Sequence, residues 1–242
     1  METHDVEMTG KRIQEHAHIF LQPVAGASML GLFAFSTAAF VVGAQYAGWK
    51  GFGDHVFLGP ILAMFFGFAQ FAAAMWAYRA REGLSTAFHG MWGAFWVAFG
   101  AVNLAYATRF MPGTTAGLGG PLGYWFIALA FVSGACAAAA LATNFALFCA
   151  KLAVTGGSVA MAVGMLTGGT TALMTGGYLF LVAAALAWYA GSALMLEDAF
   201  GRSILPVGEF RAREVEATAL GEPGVAHGEW HAHKAKHAVH GA

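Results

Sequence analysis

The chain has 242 residues, 58% of them hydrophobic and 10% charged, with a formal net charge of −1. Soluble domains carry about 45–50% apolar and about 25% charged residues, and a core of this size cannot hide so much apolar surface from water. Lipid is therefore the expected solvent, and the near-neutral charge speaks against a nucleic-acid partner.

In chain order, residues 1–25 mix acids and bases, lack the character of a signal peptide, and read as a cytoplasmic N-terminal segment. Six apolar stretches follow, at about 27–48, 56–77, 86–107, 121–142, 146–167 and 174–195. Each is near the roughly 20 residues a helix needs to cross about 30 Å of hydrocarbon. The connections hold turn formers, such as Gly51-Phe52-Gly53-Asp54 and Met111-Pro112-Gly113, and the fourth and fifth stretches are close enough to require a tight hairpin. Ten-residue alternation is absent, which leaves helices rather than a β-barrel. The expected fold class is an all-α integral membrane protein with six transmembrane helices, multi-pass in the cell membrane, comprising a transmembrane domain over residues 26–209. Residues 210–242, with His227, His231, His233, His237 and His240, read as a disordered cytoplasmic tail. If the N-terminus is cytoplasmic, Lys11, Arg12, Arg79, Arg81, Arg202, Arg211, Arg213, Lys234 and Lys236 lie inside. Lys50 and Arg109 then lie outside, and the excess of inside charges places both termini in the cytoplasm.

Glycine is abundant, at 33 residues, about twice the usual 7%, and much of it lies within the spans, where small residues let helices approach closely. The spans contain no aspartate or glutamate, no HExxH motif and no nucleophile elbow, so no carboxylate proton relay, metal site or enzyme chemistry is visible, and no cofactor is expected. Cys136 and Cys149 form no disulfide framework or metal motif. What remains is neutral hydrogen-bonding capacity: Ser36, Thr37, Gln45, Gln70, Thr86 and Asn103, set among Phe35, Phe66, Phe68, Trp92, Phe95 and Trp96. These side chains read either as interhelical hydrogen bonds or as solute-binding candidates along a pathway. Lys151 is the one charge within a span; it either snorkels to the surface or lines a pore and attracts an anion. His89 reads as an interfacial residue.

The segment Phe200-Gly201-Arg202-Ser203-Ile204-Leu205-Pro206-Val207-Gly208-Glu209 resembles the C-terminal signature of the acetate uptake transporter family, also called succinate–acetate permeases. Gly201, Arg202, Leu205, Pro206, Gly208 and Glu209 carry that signature. Further pieces resemble the family in the same order: Leu30-Gly31-Leu32, Gly67-Phe68-Ala69-Gln70 with Tyr78, Thr86-Ala87-Phe88 with Trp92-Gly93-Ala94-Phe95-Trp96, Gly177-Tyr178, and Tyr189. The resemblance spans about residues 26–209. It implies a homohexamer of six-helix protomers in membrane lipid, each with its own path for acetate or another short-chain carboxylate such as succinate. It implies a pore constriction at Phe35, at Trp92 in place of a family tyrosine, and at Val154. Gly26-Ala27-Ser28-Met29 replaces the family's Asn-Pro-x-Pro, and Ala77 and Leu194 stand where glutamates are common. The obvious proton acceptors are thus absent, and proton coupling stays open. Two alternatives remain: a passive channel for a small neutral or nitrogenous solute such as ammonia or urea, and a membrane sensor or assembly subunit without transport. The C-terminal signature itself is expected to cap the sixth helix and help pack neighbouring protomers, with Glu209 pairing a basic residue.

Overall fold

A computed structural model describes residues 26–52, 55–112 and 115–208. The N-terminal segment 1–25, Glu209 and the histidine-rich tail at 210–242 lie outside the described residues. Six long helices follow one another: α1 (Ala27–Tyr46), α2 (Leu58–Arg79), α3 (Gly83–Ala107), α4 (Gly119–Ala140), α5 (Phe145–Thr167) and α6 (Thr170–Phe200). A short 3-10 turn, Thr115–Leu118, precedes α4. Most boundaries fall within three residues of those expected. The exception is α6, which at 31 residues is about 46 Å long at 1.5 Å per residue, well beyond the hydrocarbon thickness. Its last turn, with Glu197 and Asp198, therefore reaches past the apolar slab.

Five helices are long and apolar enough to cross a membrane; the exception is α3, and the protein is a multi-pass membrane protein. The lower hydropathy of α3 comes from side chains that it hides. His89, Trp92, Trp96 and Asn103 are all buried.

Each helix packs on the next in sequence, and α6 closes back against α1, so the six form a ring whose loosest seam lies between α3 and α4. Because lipid tails are as apolar as the side chains, association depends on close packing rather than on hydrophobic expulsion. Glycines supply the closeness at two seams. A Cβ on Gly93 of α3 would stand 2.9 Å from Phe71 N and 3.0 Å from Gly67 O of α2. A Cβ on Gly177 of α6 would stand 2.8 Å from Gly43 O of α1. The exterior keeps large apolar side chains exposed, including Phe65, Phe68, Tyr124, Phe131 and Val182, as a lipid-facing surface requires.

Local signals set the ends. Asn144 caps α5 by accepting from Leu147 N at 2.9 Å, which makes the expected α4–α5 hairpin as tight as its four linking residues demand. The C-terminal signature folds back across the same end. Gly201 closes α6 in the left-handed region at φ 65°, where a Cβ would clash. Tyr189 Oη then donates to Pro206 O at 2.7 Å. Phe145 N donates to Gly208 O at 2.8 Å and Ala146 N to Val207 O at 3.1 Å. These are first-turn amides of α5 that no intrahelical carbonyl can satisfy. The expected capping role is therefore visible, together with a second one: the segment is a strap that supplies acceptors to a neighbouring helix.

Gly93→Val places branched bulk against the α2 backbone, where overpacking destabilises by about 1–3 kcal/mol. The melting temperature of the detergent-purified protein is expected to fall, whereas Gly120→Ala, with nothing within 4 Å of the added carbon, leaves it unchanged.

Candidate functional site

The starts of α1, α3 and α5 and the ends of α2, α4 and α6 share one end of the ring. Ser28 Oγ donates to Glu82 Oε2 at 3.1 Å and lies 2.7 Å from Ser85 Oγ, tying α1 to the α2–α3 turn. A cavity of about 650 Å³ opens at this end, with Leu84, Ser85, Leu147, Glu82, Glu197 and Asp198 among its lining. The cavity forms an open vestibule at this end of the bundle.

One helical turn deeper, about 5.4 Å, three of the lining residues have counterparts four positions on, which lie on the same helix face. Leu84 is followed by Phe88, Ser85 by His89 and Leu147 by Lys151. All three are buried, with Lys151 3% and His89 2% exposed. The Lys151 ammonium sits over the Phe88 ring, 3.8 Å from its centroid. Lys151 therefore does not snorkel, because its start on an inward face of α5 aims the stem into the bundle. His89 is likewise not interfacial. Gln70 Nε2 donates to His89 Nδ1 at 3.2 Å, and Gly31 of α1 makes room for the ring: a Cβ there would lie 2.6 Å from His89 Cδ2.

The next turn holds the three residues of the implied constriction. Phe35, Trp92 and Val154 lie eight or nine residues from the shared end of their helices, a depth of roughly 12–14 Å. They are 1%, 0% and 0% exposed and belong to one buried cluster. Phe35 and Trp92 meet edge to face at 5.6 Å between centroids, and Phe35 also meets Phe88 at 5.0 Å. Such geometry sets the positive ring edge on the negative face of its neighbour. The Trp92 indole is fixed by its own donor, Nε1 to Ser133 Oγ of α4 at 3.0 Å. A tyrosine at this position would be shorter, and the larger indole reaches across the loose α3–α4 seam to a partner. Beyond Trp92 a second layer of rings, Phe95, Trp96, Phe126 and Phe180, continues toward the far end.

The remaining polar candidates divide into two groups. Ser36 and Thr37 donate to Phe33 O, Thr86 to Glu82 O and Asn103 to Phe99 O, all within their own helices at 2.8–2.9 Å. Gln45 Nε2 ties α1 to the following loop through Val56 O at 2.7 Å. In contrast, Gln45 Oε1, Gln70 Oε1 and Trp96 Nε1 are buried with no hydrogen-bond partner among the described residues. Buried polar atoms are nearly always paired, so these three are exceptions, and the Lys151 ammonium has only the Phe88 ring against it. Sequence reasoning missed Ser133 and the Trp96 donor. A serine in an apolar run, or an indole in an aromatic run, signals nothing until its neighbours are known. Among the described residues no cluster of three or more metal-ligating side chains occurs.

Comparison with known proteins follows the same outline. The sequence matches the GPR1/FUN34/yaaH family over residues 9–210. Among solved structures it is similar to one described as the bacterial acetate channel SatP, with 20% sequence identity and a TM-score of 0.68, covering 77% of this chain and 100% of that one. No match was found among curated protein sequences.

The Trp92–Ser133 bond is expected to contribute on the scale of interhelical hydrogen bonds in membranes, about 0.6 kcal/mol and up to about 1.7 kcal/mol. Unfolding of Trp92→Phe, Ser133→Ala and the double variant, run as a cycle, should return a coupling energy in that range; additive losses would show that the contact carries no energy.

Proposed function

The chain belongs to the GPR1/FUN34/yaaH family, the acetate uptake transporters that its signature resembles, and from that premise we propose that it conducts acetate or another short-chain carboxylate, succinate among them, along the axis of each protomer. In this reading all six helices cross the membrane, α3 included, with both termini cytoplasmic and the vestibule facing the cytoplasm. Arg79, Arg81 and Arg202 lie at that end while Lys50 and Arg109 lie at the other, as the positive-inside rule requires. The exposed apolar exterior is shared between lipid and neighbouring protomers of a homohexamer.

One observation carries the reading. Rings from α1 and α3 and a valine from α5 belong to one buried cluster at a single depth within a closed helix ring, deeper than a vestibule that carries Glu82, Glu197 and Asp198. A neck of this kind excludes water and larger solutes. Passage of a carboxylate then needs donors on either side of the pinch, because an ionised group without them faces a large desolvation penalty. Lys151 and the Gln70–His89 pair stand on the vestibule side, and the unpartnered Trp96 Nε1 stands on the far side, with Trp92 held in the neck by its own bond to Ser133. A buried cation favours an anionic cargo over ammonia or urea, and the protein acts as a transporter rather than an enzyme.

Ala77 and Leu194 leave the obvious proton-accepting positions apolar, so passage is taken to follow the solute's own gradient. Proteoliposomes of the purified protein are expected to take up labelled acetate faster than empty liposomes. The protein-dependent increment should be unchanged by an imposed pH gradient. An increment of zero rejects transport; an increment that grows with the gradient rejects the passive mode.

A further inference from the structure

Lys151 is the least expected residue of the site. The ammonium of this lysine, within a membrane span and on a residue only 3% exposed, has no hydrogen-bond or ion-pair partner among the described residues, only the face of Phe88 at 3.8 Å. A ring face offsets part of the cost of desolvating an ammonium, but an unpaired charge in such a setting remains unfavourable unless something anionic meets it. The carboxylates closest in position, Glu82, Glu197 and Asp198, line the vestibule one turn below and stay with solvent. The two other titratable groups near the ammonium, His89 and Cys136, are close enough to feel its charge but hold no compensating carboxylate.

We propose that Lys151, standing on Phe88 beside the Gln70–His89 pair and one turn above the vestibule, is an anion-holding station that admits the ionised carboxylate to the Phe35–Trp92–Val154 neck. The inference rests on the transport reading and deepens it by fixing the charge state of the cargo at the entrance. Three features converge. The i, i+4 relation of Leu147 to Lys151 and of Leu84 to Phe88 places the ammonium directly inward of the vestibule wall. Its three N–H donors are unused by the described residues and match the two oxygens of a small carboxylate at charge-assisted hydrogen-bond strength. Phe88 also touches Phe35 at 5.0 Å and approaches Trp92 at 6.5 Å, so an anion held there already lies against the neck. The station works as a relay: the charge is met by a fixed counter-charge before the narrowest point, and the unpartnered Trp96 Nε1 stands beyond it. The mouth carboxylates oppose anions only weakly, because charges in contact with water are screened over about 8–10 Å, whereas the buried Lys151 is screened less.

The test uses nitrate, which matches a carboxylate in shape and cannot be neutralised by a proton, and acetamide, its uncharged counterpart. In proteoliposomes of the wild type, nitrate should compete with labelled acetate and acetamide should not. Lys151→Met, which keeps length and removes charge, should raise the half-saturating acetate concentration at least about tenfold, the scale of one lost charge-assisted hydrogen bond, and should lose nitrate competition. Lys151→Arg should retain both. In parallel, nitrate should raise the melting temperature of the detergent-purified wild type and of Lys151→Arg but not of Lys151→Met, since a ligand stabilises only the state that binds it. Half-saturation within about twofold of wild type in a folded Lys151→Met protein, or nitrate competition that survives in it, overturns the station. Nitrate stabilisation that depends on Lys151 in a protein without acetate uptake would keep the anion site and reject the transport reading instead.

Discussion

The aromatic column on α3 is the constraint around which the rest of the structure is arranged. Phe88, Trp92, Phe95, Trp96 and Phe99 put five large rings on the inner side of one helix, and a ring of helices can close around that bulk only if the opposite side of α3 is nearly bare. Gly93 and Gly100 provide the bare side: α2 approaches until a Cβ on Gly100 would lie 2.6 Å from Pro60 O. Bulk inward and glycine outward are two halves of one packing solution. Without the glycines the rings would spread the bundle, and without the rings the axis would be open to water.

The same division explains the electrostatics. Buried charge in lipid is expensive, and the protein keeps its carboxylates at the ends of helices while placing one ammonium inside. Glu197 and Asp198 ride on the part of α6 that outruns the apolar slab, and Glu82 sits in the α2–α3 turn. Lys151 is held against the face of Phe88, whose chain neighbour His89 pairs with Gln70. In the proposed mechanism, this arrangement shifts the task of neutralising the solute from a proton to a fixed cation. The absence of glutamates at 77 and 194 and the presence of lysine at 151 thus belong to one account.

Much of the fold was legible because span length is a physical requirement rather than a preference: hydrocarbon thickness sets the run of apolar residues, and five helices follow it. The overshoot of α6 was not, since a helix that leaves the bilayer is limited by its cap, here Gly201, and not by hydropathy. The positions of Phe35, Trp92 and Val154 came from a resemblance, and the helix geometry that places them at one depth is independent of it. The interfacial reading of His89 and the snorkelling alternative for Lys151 fail for a common reason. Distance from a span end suggests the interface, but the face of the helix decides, and faces are known only when Leu147 and Ser85 are seen lining the vestibule below them. Ser36, Thr37, Thr86 and Asn103 looked like donors for a solute, yet each has a carbonyl of its own helix three or four residues back, which is always within reach.

The central claim is that the Phe35–Trp92–Val154 neck is the size filter of a carboxylate path, and the most direct measurement is the uptake ranking of labelled acetate, propionate and butyrate through Trp92→Ala in proteoliposomes. Removing the indole opens the pinch, so the account predicts that the variant still takes up acetate and that propionate and butyrate gain on it relative to the wild type. An unchanged ranking in a variant that transports acetate would contradict the account and place the filter elsewhere.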